Sequence, residues 1–433
     1  MEINVIDSLP GTGKTSWAIQ MMNEHPEERF CYCAPFLDEV RRIKEACPSL
    51  KFKEPVYRNG RKLDNFNFLL SSGDNIATTH KTFTNATEET MEYIADGEYT
   101  LILDEVVDIV ALYKNMTDDP LHMNDIRALF DREFVECDEL GRLVWVADKY
   151  PDSKYYPVEE LCENNELYCV NSMYIVWEFP PKIFQCFKKV YIMTYLFEGS
   201  IMDSYFYMHR MPYEKFVVQK NDDGQYQLIE WTKTYESKLR KKYSKLITIY
   251  DDKEMNAYRN HSLSKNWLLD KNNKEGVARL KKHVERYFRH YRTLKASDIM
   301  WTTIKSRREV LSGKGYTCIK RVSKEKRAKM SGKELAEVEC FVSLSAKSMN
   351  YYNDRHMLAY VYNFYVNPNI KQYINKRSAL LGRHTQIDNN QVALSALLQW
   401  MFRSAIRNGE PITIYIPSER MRNLLQAWLS GEM

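Results

Sequence analysis

Hydrophobic and polar positions follow two alternating periods along the first 110 residues. Short apolar runs typical of buried strands occur at EINVID (2–7), RFCYCAP (29–35), IATT (76–79) and YTLILDE (99–105). Between these runs, apolar residues recur at helical spacing from Thr15 to His25, in FLDEVRRIKEA (36–46) and over residues 83–95. Strands that alternate with helices in this way predict a parallel sheet covered by helices.

This alternation stops near residue 112 and resumes with the apolar run KKVYIMT at 188–194. We interpret about 112–170 as an irregular insertion, because the segment is acidic, aromatic and rich in turn-forming residues.

The second half begins near residue 206 and contains a hairpin pattern, KFVVQKNDDGQYQLIEW (215–231), with Asp223-Gly224 in its turn. Further strands are predicted at KLITIYDD (245–252), DIMWTTIK (298–305), YTCIKRV (316–322), CFVSLS (340–345) and PITIYIP (411–417). A long helix is predicted over 392–407, and a final helix over 418–430 that ends at Gly431. The patterns therefore predict two domains, 1–205 with the insertion about 112–170, and 206–433 with a hairpin and basic helical insertion about 212–295.

Composition agrees with two globular domains. The chain has 433 residues, 44% hydrophobic and 28% charged, and no apolar run long enough to cross a membrane. Polar residues interrupt the first nine positions, so we expect no signal peptide and a cytoplasmic location, in a host bacterium if a phage encodes the chain. Nine scattered cysteines fit a reducing compartment.

Charge is distributed unevenly along the chain. Residues 91–170 contain 20 acidic and 6 basic side chains, whereas residues 281–330 contain 16 basic and 4 acidic ones. The basic block is interleaved with Tyr and Phe, a composition that suits a nucleic-acid backbone and its bases. A solvated helix face has the same composition, and both interpretations stay open on charge alone.

The segment SLPGTGKTS at 8–16 has the pattern of a phosphate-binding loop between a strand and a helix. Gly11 and Gly13 allow backbone N–H groups to surround phosphates, Lys14 supplies an ammonium group, and Thr15 supplies a hydroxyl for Mg²⁺. Ser8 stands where the full pattern has glycine. The predicted nucleotide-binding residues are Pro10, Gly11, Thr12, Gly13, Lys14, Thr15 and Ser16.

A second element of such a site is a carboxylate at the end of a neighbouring strand. LILDEV at 101–106 provides it: the apolar strand residues LIL precede Asp104, which we expect to hold Mg²⁺ with Thr15, and Glu105 follows. Glu105 is the predicted base that orients and deprotonates the attacking water. The pair favours ATP hydrolysis over phosphoryl transfer to a small molecule.

With these motifs the chain resembles superfamily 2 helicases, the DEAD/DEAH-box group, and in particular the helicase-like ATPases of bacteriophages. SLPGTGKT is similar to motif I, CAPFLDEVRR (33–42) to motif Ia, ATTHKTF (77–83) to motif Ib and LDEVVD (103–108) to motif II. MTYLFEGS (193–200) resembles motif III, and QWMFRSAIR (399–407) resembles motif VI. The resemblance implies an α/β fold of two RecA-like P-loop NTPase domains, with ATP and Mg²⁺ in the cleft and nucleic acid across both domains.

The resemblance also implies roles for further residues. Thr194 of motif III would couple the ATP state to the grip on nucleic acid. Pro35, Thr78, Thr79 and His80 would contact the nucleic-acid backbone. In the second half, Trp301 and Thr302, where motif IV belongs, and Asn350, where motif V belongs, would also contact nucleic acid. Asp354 and Arg355 are the other polar candidates of motif V.

Motif VI has a geometric consequence on the predicted helix. Gln399, Arg403 and Arg407 are spaced four residues apart, so they would project from nearly one face toward a γ-phosphate. Arg403 is the better candidate for an arginine finger, and Arg407 for a contact to phosphate or to the protein.

The function expected from the sequence is therefore an ATP-dependent helicase or translocase, acting on DNA rather than RNA along a single tracking strand, in phage replication or recombination. Two alternatives stay open: a nucleic-acid-dependent ATPase clamp, and a packaging ATPase that resembles the large terminase subunit. A small-molecule kinase fits the chain length and Glu105 least well.

Overall fold

The computed structural model describes residues 2–58, 61–113, 123–148, 155–164, 166–170, 174–290, 294–344 and 351–432. The chain divides into two compact units. The first comprises Met1–Glu230 and Val366–Asp388, and the second comprises Trp231–Tyr365 and Asn389–Met433. Within the described ranges, no helix combines the length and the apolar character needed to cross a membrane.

The strands are, in chain order, β1 (Glu2–Asp7), β2 (Phe30–Ala34), β3 (Ile76–Thr79), β4 (Thr100–Asp104), β5 (Val110–Leu112), β6 (Val135–Cys137), β7 (Leu143–Trp145), β8 (Leu167–Val170), β9 (Tyr174–Glu178), β10 (Lys189–Thr194), β11 (Glu214–Lys220), β12 (Tyr226–Glu230), β13 (Ile247–Ile249), β14 (Ile299–Thr302), β15 (Met357–Tyr360) and β16 (Ile412–Tyr415).

The helices are α1 (Lys14–Glu24), α2 (Leu37–Ala46), α3 (Lys62–Ser71), α4 (His80–Phe83), α5 (Glu88–Asp96), α6 (Met123–Asp131), α7 (Tyr156–Glu163), α8 (Lys182–Gln185), α9 (Ile201–Met208), α10 (Lys233–Ser244), α11 (Lys265–Leu269), α12 (Lys274–His290), α13 (Arg308–Leu311), α14 (Lys324–Ala328), α15 (Gly332–Val338), α16 (Pro368–Leu380), α17 (Asn389–Met401) and α18 (Glu419–Ser430).

A seven-stranded sheet organises the first unit, in the order β12-β11-β1-β10-β4-β2-β3. Its strands are parallel except β12, which pairs antiparallel with β11. The five strands predicted in the first 194 residues are all present. They are fully or nearly fully buried because helices cover the sheet, which explains their continuous apolar runs.

A smaller β region lies within the predicted insertion and just after it. Strands β5, β9 and β8 form an antiparallel sheet, and β6 pairs with β7. Helix α16 comes from much later in the chain but belongs to this unit. Its Tyr373 hydroxyl donates to Glu178 at 2.5 Å, and the Arg377 guanidinium donates to the Tyr168 hydroxyl at 3.2 Å.

The second unit contains a four-stranded parallel sheet in the order β13-β16-β15-β14. Strand β15 pairs with both β14 and β16, and it was not predicted as a separate strand, although its residues MLAY are apolar and buried. The last helix, α18, begins at Glu419, after the capping hydroxyl of Ser418, and ends at Gly431 as predicted.

The division of the chain differs from the predicted boundary at residue 205. The hairpin of β11 and β12, predicted in the second domain, extends the first sheet because β11 pairs with β1. The segment Val366–Asp388 also belongs to the first unit. Both placements depend on long-range pairing and packing, which local periodicity does not reveal.

Two predicted strands and one predicted helix need correction. Residues 316–322 and 340–345 supply only single bridges in the described part of the chain, Cys318 with Glu339 and Phe341 with Trp301. The helix predicted over 392–407 ends at Met401. Residues Ala405–Asn408 form a separate 3₁₀ turn, because Ser404 is extended and the Ala405 N–H donates to the carbonyl of Arg355 at 3.0 Å.

Candidate nucleotide-binding site

The loop between β1 and α1 has the backbone that a phosphate-binding loop needs. Gly11 and Gly13 have φ values of 90° and 100°, a region that glycine adopts without a steric penalty. The Thr12 hydroxyl donates to the Leu9 carbonyl at 2.9 Å, and the Trp17 N–H donates to the Gly13 carbonyl at 2.8 Å. The loop therefore ends at Gly13, directly where the helix begins.

The side chain of Lys14 lies over this loop. Its ammonium group donates to the carbonyls of Ser8 and Leu9, the second at 3.3 Å. These contacts hold the lysine charge at the carboxyl end of β1, where the sequence predicts phosphates.

The Asp104 carboxylate lies next to the hydroxyl of Thr15. Thr15 Oγ1 donates to Asp104 Oδ2 at 3.3 Å, although 89 residues separate the two in the chain. The Tyr32 hydroxyl donates to the same oxygen at 2.6 Å. Burial raises the pKa of Asp104, while the Tyr32 hydrogen bond, the Lys14 charge and the Thr15 hydrogen bond oppose that rise.

This pair of oxygens fits Mg²⁺. Magnesium is held in proteins by one or two oxygen ligands together with substrate phosphates, and a hydroxyl and a carboxylate supply that donor set. The donors lie at the start of α1 and the end of β4, so two elements fix their spacing. Thr15 and Asp104 are therefore the residues that would hold the ion.

Glu105 differs from Asp104 in both backbone and exposure. Its φ is 70°, a left-handed conformation that costs about 1 kcal/mol or more for a non-glycine residue. Its N–H donates to the Met193 carbonyl at 3.0 Å, which holds the turn against β10. The Glu105 side chain is partly exposed whereas Asp104 is 4% exposed, so of the two only Glu105 can reach solvent water.

Thr194 lies at the end of β10, between the phosphate loop and the strand that carries Asp104. Its carbonyl accepts the N–H of Ser8 at 3.0 Å, and its side chain is buried. The predicted coupling residue is thus bonded through its backbone to the first residue of the loop.

The hairpin of β11 and β12 also belongs to this site, which the sequence analysis missed. The hydroxyl oxygen of Ser8 accepts the N–H of Val218 at 2.8 Å, an interaction that glycine at this position would lack. The amide of Gln20 accepts the N–H of Tyr226 at 2.8 Å and donates to its carbonyl at 3.2 Å. The serine was the only visible sign in the sequence, and nothing there identified its partner.

The residues predicted to contact nucleic acid in the first unit lie near strands β2 and β3. Pro35, Thr79 and His80 are partly exposed, whereas Thr78 is buried within β3. The hydroxyls of Thr79 and Thr82 lie 3.3 Å apart at the start of α4.

Thr79 also lines a groove of about 790 Å³ within the first unit. Its basic and aromatic lining residues are Tyr57, Arg61, Lys62, Lys81 and Trp177. Tyr57 is 74% exposed, and the Lys62 ammonium lies 5.6 Å from the centre of its ring. Tyr57, Arg61 and Lys62, which precede or begin the unpredicted helix α3, were not among the predicted contacts to nucleic acid.

The arrangement predicted for motif VI is wrong in one respect. Because α17 ends at Met401, Gln399 lies on the helix while Arg403 and Arg407 lie in the turns that follow. The three side chains therefore do not share one helical face. Arg403 is 5% exposed and donates to the Ser343 carbonyl at 3.2 Å, and Arg407 is partly exposed.

The predicted residues of motifs IV and V are mostly in the core. Trp301 and Thr302 are fully buried in β14, and the Trp301 ring packs edge-on against Tyr316 and Phe341. A surface contact to nucleic acid is thus wrong for both residues, because β14 is covered by packed side chains.

Of the three motif V candidates, the structure describes Arg355 and Asp354. Arg355 is 3% exposed and donates to the Ala336 carbonyl at 2.6 Å, whereas the Asp354 side chain is exposed. Asn350 lies outside the described residues.

The chain is similar to known proteins both in sequence and in fold. Residues 117–177 match the profile of the YonV middle domain, and residues 241–429 match that of the YonV C-terminal Rossmann-like domain. The chain is similar to the SPbeta prophage-derived uncharacterized protein YonV of Bacillus subtilis (strain 168), with 34% identity over 446 residues that cover 99% of each chain.

Among solved structures, the chain is similar to XPD in an apo form, with a TM-score of 0.52, 12% identity, and coverage of 100% of this chain and 95% of that one. It is also similar to S. tokodaii Xpd4, with a TM-score of 0.50, 13% identity and coverage of 98% and 93%. These likenesses confirm the predicted fold class, an α/β fold with two RecA-like domains.

Proposed function

The chain belongs to the YonV family, and from that premise we propose that it is an ATP hydrolase of the helicase type, which uses the energy of ATP to move along nucleic acid. The observation that carries the proposal is the contact between Thr15 Oγ1 and Asp104 Oδ2 at 3.3 Å. It joins the phosphate loop to the strand end that bears Glu105.

The residues of the first unit have distinct roles in this proposal. The N–H groups of Gly11 to Ser16 surround the phosphates, with Pro10 at the start of the loop, and the Lys14 ammonium neutralises the β- and γ-phosphates. Thr15 and Asp104 would hold Mg²⁺, and the ion would supply positive charge for the transferred phosphoryl group. Glu105 accepts the proton of the attacking water.

The second unit contributes the arginines of motif VI. Arg403 is the proposed arginine finger, with Arg407 and Gln399 as further candidates for a contact to phosphate. The contact of Arg403 with the Ser343 carbonyl shows that this guanidinium also has a packing role in the unit.

Nucleic acid is the proposed partner, and the groove beside Thr79 is its proposed path over the first unit. Arg61, Lys62 and Lys81 supply positive charge in a groove that Glu160, Glu163 and Glu166 also line, and the exposed ring of Tyr57 offers a stacking surface. The prophage origin of the relative supports a role on phage DNA, in replication or recombination, with a single strand as the track.

The hydrolysis step is tested by Glu105→Gln and Lys14→Ala. We expect Glu105→Gln to slow ATP turnover roughly 100- to 10,000-fold, because a general base is lost, while ATP still binds. We expect Lys14→Ala to weaken binding and turnover together. Measuring ATP binding and phosphate release on the same preparations checks both, and undiminished turnover in Glu105→Gln excludes that residue as the base.

A further inference from the structure

The ring of Tyr226 lies directly against the phosphate loop. A Cβ placed on Gly13 would lie 2.2 Å from Cε1 of this ring and 2.9 Å from Cδ1. Glycine at position 13 is therefore required twice, by its φ of 100° and by the ring beside it. No step of the proposed hydrolysis uses Tyr226.

The position of this ring within the sheet is informative. Tyr226 is the first residue of β12 and pairs with Lys220, the last residue of β11, at the carboxyl edge where the phosphate loop lies. In the order β12-β11-β1-β10-β4, Tyr226 lies two strands to one side of β1, and Asp104 lies two strands to the other.

This order fixes which end of a bound nucleotide faces the ring. A triphosphate in the loop has its γ-phosphate toward Mg²⁺ and the base that activates water, which is the β4 side. Its nucleoside then extends toward the opposite side of β1, where β11 and β12 lie. Tyr226 is the aromatic side chain that begins β12 there.

The ring is held in place and still accessible. Gln20 on α1 bonds both the N–H and the carbonyl of Tyr226, and the ring packs against the core cluster that contains Trp17 and Ala18. The side chain remains partly exposed. The Lys220 ammonium lies 5.6 Å from the ring centre, but this side chain is exposed and can rotate away.

We propose that Tyr226 binds the nucleoside part of the nucleotide, by stacking on the base. The inference rests on the proposed function, since it assumes a nucleoside triphosphate in the loop. It assigns a binding surface for the base to a hairpin that follows the loop by some 200 residues. Base stacking on an aromatic ring tolerates any base, so this contact contributes affinity rather than selectivity among nucleotides.

The test compares Mg²⁺-ATP with Mg²⁺-tripolyphosphate, which has the phosphates but no nucleoside, by calorimetric titration. We expect Tyr226→Ala to weaken ATP binding roughly 5- to 150-fold, the range of one stacked base, and to leave tripolyphosphate affinity within about twofold. Tyr226→Leu, which keeps apolar packing against the loop, should behave like Tyr226→Ala, and Tyr226→Phe should behave like wild type.

Two controls separate the outcomes. Tyr207→Ala removes a tyrosine that is 47% exposed on α9 of the same unit and should change neither affinity. Lys14→Ala should weaken both ligands. Equal weakening of both ligands by Tyr226→Leu overturns the inference and makes Tyr226 a residue that positions the loop. Wild-type protein that binds neither ligand overturns the proposed function, and the inference with it.

Discussion

At the scale of single residues, the candidate site shows how burial assigns different roles to adjacent carboxylates. Asp104 is enclosed by β4, Thr15 and Tyr32, so it can serve as a fixed ligand but has little access to water. Glu105 follows at once, in a left-handed conformation that leaves its side chain partly exposed. In the proposed mechanism, this dipeptide supplies both a metal ligand and a base because the strand ends between its two residues.

Arg403 is the residue whose role needs the sharpest test. If it is the arginine finger, Arg403→Lys should slow hydrolysis at saturating ATP roughly 1,000-fold or more, because one ammonium replaces a forked donor, while ATP affinity and melting temperature change little. The measurement is single-turnover hydrolysis beside thermal unfolding. Arg259→Lys, an exposed arginine of the same unit, is the control.

The same experiment can instead reveal that Arg403 has a packing role. The guanidinium is 5% exposed and bonded to the Ser343 carbonyl, so its loss can also destabilise the second unit. Equal losses of rate, affinity and melting temperature contradict catalysis by Arg403.

At the scale of elements, the hairpin of β11 and β12 is bonded to the nucleotide loop at several points. Ser8 bonds Val218, Gln20 bonds Tyr226, and the Tyr226 ring packs against Gly13. Serine at the first glycine position therefore connects the loop to an extra pair of strands. Ser8 departs from the phosphate-loop pattern, and its hydrogen bond to the hairpin gives a structural reason for the departure.

The Ser8 contact predicts a local loss of stability. Ser8→Ala removes the oxygen that accepts the Val218 N–H, at a cost of about 1–3 kcal/mol for this buried interaction. Backbone amides of residues 214–230 should then exchange hydrogen faster, as followed by mass spectrometry. Ser71→Ala, at an exposed serine on α3, should leave exchange in the hairpin unchanged. Unchanged exchange in Ser8→Ala as well shows that the hairpin does not depend on this bond.

Local periodicity predicted the elements whose burial is complete. It failed where tertiary contacts determine the bounds of an element. Strands β1, β2, β4 and β10 were found because parallel strands covered on both faces are continuously apolar. Helix α17 ends at Met401, six residues before the predicted end, because Ser404 becomes extended and Ala405 bonds the Arg355 carbonyl. Apolar residues continue through Ile406, so no change of pattern marks that end.

The site was predictable to a similar extent. The loop, Thr15 and Asp104 come together as predicted because the carboxyl ends of parallel strands share one edge. The hairpin was predicted as an element, but its contacts with the site and the contact of Tyr32 with Asp104 were not. These contacts arise from strand order rather than from a local motif. The predicted contact of Trp301 with nucleic acid was wrong because an aromatic residue in a short strand is as consistent with a core as with a binding surface.

At the scale of the whole molecule, the basic block 281–330 divides into two groups. Arg308 and Arg327 both pair with Glu339 at 2.7 Å, and Arg286 pairs with Glu254 at 2.9 Å, so these charges are partly neutralised within the second unit. Besides Arg286, the exposed basic side chains of the described part of the block are Lys282, Arg289, Lys295, Lys305, Lys314, Lys320, Arg321, Lys326 and Lys329. This second group provides the positive surface that the proposed nucleic-acid partner requires.

We propose that ATP hydrolysis by this chain depends on nucleic acid. The decisive measurement is the ATPase rate under four conditions: without nucleic acid, with single-stranded DNA, with duplex DNA and with RNA. We predict at least a several-fold higher rate with single-stranded DNA, a stimulation that declines as salt screens the phosphate contacts, and no turnover by Lys14→Ala under any condition. A rate that is the same under all four conditions would contradict the account.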